Sequence, residues 1–208
     1  MDFSKIRVPF IDKIEIEKRA TAFRQKYRDT SIPVDIEHII DVKLKVNIIP
    51  VPDLMRLCDT DALITSDWGS LYVDKRSFED ERQQNRLRFS FGHEVGHYIL
   101  HRNLYSGFGV VEFEDIYKLI DEIPEEQYRR LEIQANFFSS YLLVPRDALL
   151  RETKNILQQI EKRNKLEELK VDSDMFISYL AIPVSQRFGV SSEVVEIILK
   201  NDFLSNKT

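Results

Sequence analysis

The sequence predicts an α+β fold in which a small β-sheet packs on one side of a mainly helical bundle. Three observations carry this reading. An amphipathic helical stretch opens the chain, three short strand-like segments follow between residues 44 and 74, and the remainder is patterned as helix around one loop. This order lacks the βαβ alternation of a doubly wound sheet. Residues 13–28 set Ile16, Ala20, Phe23 and Tyr27 on one helical stripe with Lys and Arg opposite. Pro33 is expected to open a second short helix, since proline is favoured in a first turn. Segments 44–51, 62–65 and 70–74 read as strands between turn residues. A long helix is expected over 79–101, and a loop with at most a short helical piece over 102–124. A strong helix follows over 125–143 between Pro124 and Pro145, then another over 146–170. Two helical pieces around Gly189 complete the chain, and Pro183 is expected to start or kink the first. The expectation is one domain, 1–208, with a helical C-terminal part from about residue 146.

Composition excludes several functional classes. Hydrophobic residues are 43% of the 208 and charged residues 31%, ordinary values for a soluble globular protein. The 30 Lys+Arg against 35 Asp+Glu give a net charge of −5, which argues against nucleic-acid binding through bulk charge. The single cysteine, Cys58, excludes an internal disulfide and a Cys-based zinc cluster, and it is expected to be a small buried or half-buried residue. No apolar run approaches the ~18 residues of a membrane span. The N-terminal MDFSKIRVPFIDK has no signal-peptide pattern. The expected location is the cytoplasm, with no membrane partner and no direct nucleic-acid partner.

The chemistry concentrates in Phe89 to His101, FSFGHEVGHYILH. His93-Glu94-Val95-Gly96-His97 is an H-E-x-x-H motif. Residues four apart on a helix lie about 40° apart around the axis, so His93 and His97 can aim at one ion. From the next position Glu94 can reach a water on that ion. A catalytic zinc takes three protein ligands and keeps a fourth position open. Of the other histidines, His38 lies on an early short helix and reads as a surface or core residue. His101 is two turns beyond His93 and rotated about 80°, which favours a buried or supporting role over ligation. The downstream helix offers Glu132. Beside it lie Ala135, Asn136 and Ser139, while the motif helix carries Gly92 and Gly96; small residues on both helices would let the backbones approach. Asn136 could accept the second ring N–H of His93 or His97, as metal-bound histidines usually require.

Arg88-Phe89-Ser90, the HEVGHYILH run, Glu132-x-x-Ala135-Asn136-x-Phe138 and Leu142-Leu143-Val144-Pro145 resemble the ImmA/IrrE family of bacterial zinc metallopeptidases. The resemblance extends over about residues 70–200 and includes Phe188-Gly189-Val190-Ser191. It implies a zincin-like fold, His93, His97 and Glu132 as zinc ligands, and Glu94 as catalytic base. It also implies an intracellular protease that cleaves a helix-turn-helix repressor.

The resulting expectation is regulatory peptide hydrolysis by a zinc-dependent endopeptidase. Tyr98 and Tyr105 are candidate oxyanion donors by sequence proximity only, and a structural role is expected for both. A strand at 61–66 or 69–75 is expected beside the motif helix, where substrate could add as a further strand. The 102–124 segment, with Phe108, Phe113 and Tyr117 among Glu112, Glu114, Asp115 and Asp121, is expected to border the cleft as a lid favouring basic residues near the cut. Two alternatives stand beside this reading. One is a DNA-binding regulator using the helix-turn-helix outline of 176–201, although Glu193, Glu196 and Asp202 would face phosphates. The other is a metal-bearing interaction module without turnover.

Overall fold

The computed structural model describes residues 3–27, 30–105, 107–109, 115, 121–162 and 173–205. A three-stranded sheet lies against helices, as the element order predicts. Strand β1 is Asn47–Val51, β2 is Ala62–Ile64 and β3 is Ser70–Asp74. The sheet order is β1-β3-β2, with β1 parallel to β3 in the register Asn47↔Ser70 and β2 antiparallel to it in the register Ala62↔Val73. Central β3 buries Leu71 and Val73 completely, and β2 buries Ala62 and Ile64. This is the period-2 alternation of strands with one face on a core. β2 is therefore an edge strand, and it is the strand that lies against the motif helix.

Two helices build the centre of the molecule: the motif helix Gln84–Leu100 and the glutamate helix Glu125–Leu143. Leu87, Phe91 and Val95 of the first and Leu131, Phe138 and Leu142 of the second are buried in one core. The glutamate helix starts where expected, after Pro124, with Glu125 and Glu126 placed to complement the helix dipole. The N-terminal helix Lys13–Tyr27 packs Ile16, Ala20 and Phe23 on it. Helix Arg146–Lys162 buries Leu149, Ile156 and Ile160; the expected continuation over 163–170 lies outside the described residues.

Several boundaries differ from the sequence expectation for local reasons. The early helix starts at Ile36 rather than Pro33, because the Asp35 side chain accepts the His38 N–H as the cap. It continues as a π-helical run, Ile39–Leu44, ended by Lys45 in the left-handed region, so β1 begins only at Asn47. The helix expected over 79–101 is split. Asp74 caps a short helix, Lys75–Glu79, and the Asp80 carboxylate accepts the Arg82 N–H to redirect the chain before Gln84. Pro183 does not start its helix but lies inside it, between Ser173 and Phe188. Of the expected lid, residues 106, 110–114 and 116–120 lie outside the described residues. Phe108 is 5% exposed and packs edge-on against Phe3, so it is a core residue.

Candidate metal centre

The motif helix turns His93 and His97 to the same side, and their Nε2 atoms stand 2.9 Å apart. Glu132 reaches them from the glutamate helix, with Oε2 3.2 Å from His93 Nε2 and Oε1 3.5 Å from His97 Nε2. One ligand atom from each residue lies within 4.8 Å of the other two. Ligands bound tetrahedrally at 2.0–2.1 Å stand roughly 3.3 Å from one another. The observed separations bracket that value, so this two-histidine, one-carboxylate set fits a divalent metal.

The close approach of the two helices has an identifiable cause. A Cβ added at Gly96 would lie 3.0 Å from both the Cα and the carbonyl oxygen of Ala135. One added at Gly92 would collide with Ser139 Oγ, which already bonds the Phe89 carbonyl. Mid-helix glycine costs about 1 kcal/mol relative to alanine, and here it allows the contact that brings Glu132 to the histidines.

Neighbouring groups orient each side chain. Asn136 Oδ1 lies 2.9 Å from His93 Nδ1, so Nδ1–H donates to the amide oxygen and Nε2 is the ring nitrogen turned to Glu132. His97 Nδ1 is 3.0 Å from His101 Nδ1, and His101 Nε2 is 2.9 Å from Gln134 Oε1. Glu94 is buried, and its Oε2 accepts the Ile64 N–H of β2 at 2.9 Å.

Electrostatics separate the two carboxylates. Burial pushes Glu132 up, but the bonds and charges of both imidazoles outweigh it and hold it well below the ordinary carboxylate range. For Glu94 burial wins and its carboxyl is raised, despite the opposing charges of His93 and His97. Burial lowers His93, and the bond and charge of Glu132 overcome it, raising the imidazole to about 9. Burial beside His97 lowers His101 to about 3, which keeps it neutral.

The surroundings are asymmetric. The Tyr105 ring lies 5.0 Å from that of His97 and also stacks on Trp68 at 5.2 Å, while Tyr98 meets Trp68 edge-on. Burial raises the Tyr105 hydroxyl well above its ordinary range. Both tyrosines thus belong to an aromatic wall. Next to Asn136 opens a groove of about 630 Å³ between the motif helix, the glutamate helix and the C-terminal helix Ser192–Ser205, with Phe89, Ile133, Phe137 and Ile197 among its walls. A larger cleft of about 1080 Å³ shares Asp61 and Arg86 with it, carries side chains of both charges, and contains neither His93 nor Glu132.

The structure therefore brings His93, Glu94, His97, Glu132 and Asn136 together. His38 is exposed and Cys58 half-buried, each within a different short helix. In 176–201 a turn at Gly189 does separate two helices, and the second buries Val195, Ile198 and Leu199 while exposing Glu193. Sequence reasoning missed Gln134 and the Ile64 N–H. Gln134 carried a signal, because it falls on the core stripe of Leu131 and Phe138, where a polar residue calls for a partner. The Ile64 contact is a backbone contact and carried none.

The model of the peptidase M78 family, the IrrE N-terminal-like domain, matches residues 79–200, more than half of the chain. That span holds the motif helix and the glutamate helix together. No curated protein matches the chain.

Proposed function

The chain belongs to the IrrE N-terminal-like family of metallopeptidases, and we propose that it is a zinc endopeptidase that cleaves one protein partner as a regulatory act. The observation that carries this is the convergence of His93, His97 and Glu132 beside a buried Glu94. In this reading the first three hold zinc in a gluzincin-like HExxH arrangement. Zinc, when bound, lowers the pKa of a coordinated water and polarises the scissile carbonyl. Glu94 is the general base. Its Oε2 is held by the Ile64 N–H, so Oε1 takes the proton from the attacking water and passes it to the leaving amine. Its raised pKa moves it toward the working range of a base near neutral pH. Asn136 holds His93 in the tautomer that presents Nε2.

All of 1–208 serves as one metallopeptidase domain in this reading, with its helical C-terminal part from about 146 walling the groove. The edge strand β2 is the place for substrate to add in extended form. The substrate is a cytoplasmic helix-turn-helix repressor, as the sequence resemblance suggests. The test is to incubate the zinc-loaded protein with casein and, separately, with a helix-turn-helix protein encoded beside it. Cleavage of the second at one or few sites, with slow casein turnover, is expected. Rapid many-site digestion of casein would remove the regulatory reading and keep the peptidase. No cleavage of any protein by a zinc-loaded sample would leave a binding module.

A further inference from the structure

We infer that the N-terminal arm, the non-helical residues 6–12 ahead of helix Lys13–Tyr27, fixes the tautomer of His97 through a one-way chain of hydrogen bonds, Pro9 to Gln134 to His101 to His97, and so sets how tightly the site holds its metal. The inference rests on the reading that His97 is a metal ligand.

The direction of every link follows from chemistry. The Pro9 carbonyl can only accept, and Gln134 Nε2 lies 2.9 Å from it, so the amide NH₂ is turned to Pro9. That turns Gln134 Oε1 toward His101, where Nε2 is 2.9 Å away and must donate. With the proton of neutral His101 on Nε2, its Nδ1 is an acceptor. His97 Nδ1, 3.0 Å away, therefore donates, and the His97 lone pair is left on Nε2, which faces Glu132. His97, His101 and Gln134 are each 3% exposed or less, so water has little access to substitute for a broken link.

The origin of the chain is itself held in place. Along one face of the glutamate helix, Gln127 Oε1 accepts the Val8 N–H at 2.8 Å and Arg130 Nη1 donates to the Val8 carbonyl at 3.0 Å. Gln127, Arg130 and Gln134, spaced three and four apart, thus clamp the arm at successive turns. The arm lies outside the span that matches the peptidase family, yet it contacts the site through two side chains. Gln134, His101 and the Pro9 carbonyl are positioning groups; none touches substrate.

The test measures zinc affinity by chelator competition for wild type, His101→Leu, Gln134→Leu, the double variant and His101→Gln. The ring ¹⁵N shifts of His97 in the metal-free proteins report its tautomer directly. Loss of an orienting partner typically weakens a metal by about 10–100-fold. Each single Leu variant should lose affinity in that range and show His97 as a tautomer mixture. The double variant should lose no more than the worse single, because links in series fail together. His101→Gln, whose Oε1 can accept from His97 Nδ1, should recover most of the affinity. Single-variant affinities within about twofold of wild type, additive losses in the double variant, or an unchanged His97 tautomer would each overturn the chain. A wild-type protein that binds no zinc would instead overturn the ligand assignment beneath it.

Discussion

His93 is half-buried and bonds Asn136, which lines the groove, whereas His97 is 2% exposed and enclosed by Tyr105 and His101. One residue orients the first, an exposed asparagine; a buried chain of three groups orients the second. Two imidazoles from the same helix, given the same task, thus sit in media of different polarity. The open side must admit a substrate and tolerates water. The closed side cannot be repaired by water, so its hydrogen bonds must all come from the protein. On the proposed ligand assignment, this division gives the closed side the holding of the metal and the open side what happens at it.

The sharpest way to break the comparison is to separate holding from reacting. Glu94→Gln keeps the size of the side chain but cannot accept the proton of a water. Cleavage should fall by about 10²–10⁴-fold or more, with zinc affinity within a few fold of wild type. His93→Ala should lose both, since it removes a proposed ligand. Cleavage assays paired with metal analysis check this, and an active Glu94→Gln protein would remove Glu94 as base.

Next in size is the helix contact on which both sides depend. At Gly96→Ala the new Cβ meets backbone atoms of Ala135, which cannot swing aside. Overpacking of that kind costs about 1–3 kcal/mol, against which alanine returns about 1 kcal/mol of helix propensity. The expected net loss is a thermal midpoint lower by a few degrees, accompanied by weaker zinc binding because Glu132 is displaced from the histidines. A variant as stable and as metal-avid as wild type would show that the contact is not needed to assemble the site.

Acidity sharpens the comparison on the open side. In the metal-free protein the His93 imidazolium is paired with Glu132, its pKa raised from 6.5 to about 9. A raised folded-state value contributes stability that is fully present below pH 6.5 and lost as pH rises through 9. Glu132 is shifted the other way, so its contribution is present above about pH 4.5 and lost as pH falls toward its lowered value. Melting of the EDTA-treated protein should therefore weaken between pH 6.5 and 9. Zinc affinity should rise over the same interval, because the metal must displace the His93 proton. A metal-free melting temperature that climbs across this range would contradict the pairing.

How much of this was legible in the sequence depends on the distance over which each signal acts. His93 and His97 are one turn apart, and the glycines and Ala135 follow helical spacing, so local periodicity revealed them. Glu132 and Asn136 lie on a different helix, but the small residues around them indicated which helices meet. The capped helix Lys75–Glu79 was missed although Asp74 and Ser77 carry a cap spacing, because the strong apolar pattern after Leu87 drew the boundary outward. The parallel pairing of β1 with β3 and the bond from Ile64 to Glu94 are backbone relations that no side-chain pattern encodes. The chain from Pro9 to His101 joins positions more than ninety residues apart; the expected buried or supporting role of His101 is the one part of it that the sequence reading contains.

The smallest expected effect tests the asymmetry itself. Asn136→Ala removes the acceptor for His93 Nδ1–H at a position open to solvent, beside the groove. A water can take the place of the lost amide oxygen there, at a cost of about 0–2 kcal/mol of immobilisation. Zinc affinity should fall by about tenfold or less, the low end of the range for losing such a partner. His101→Leu, made at a side chain only 1% exposed, should cost more. Measured side by side with the same chelator, the two variants order the sides of the site. If Asn136→Ala is the more damaging, the open side rather than the enclosed one governs metal retention, and burial does not explain why His97 is given three supporting groups and His93 only one.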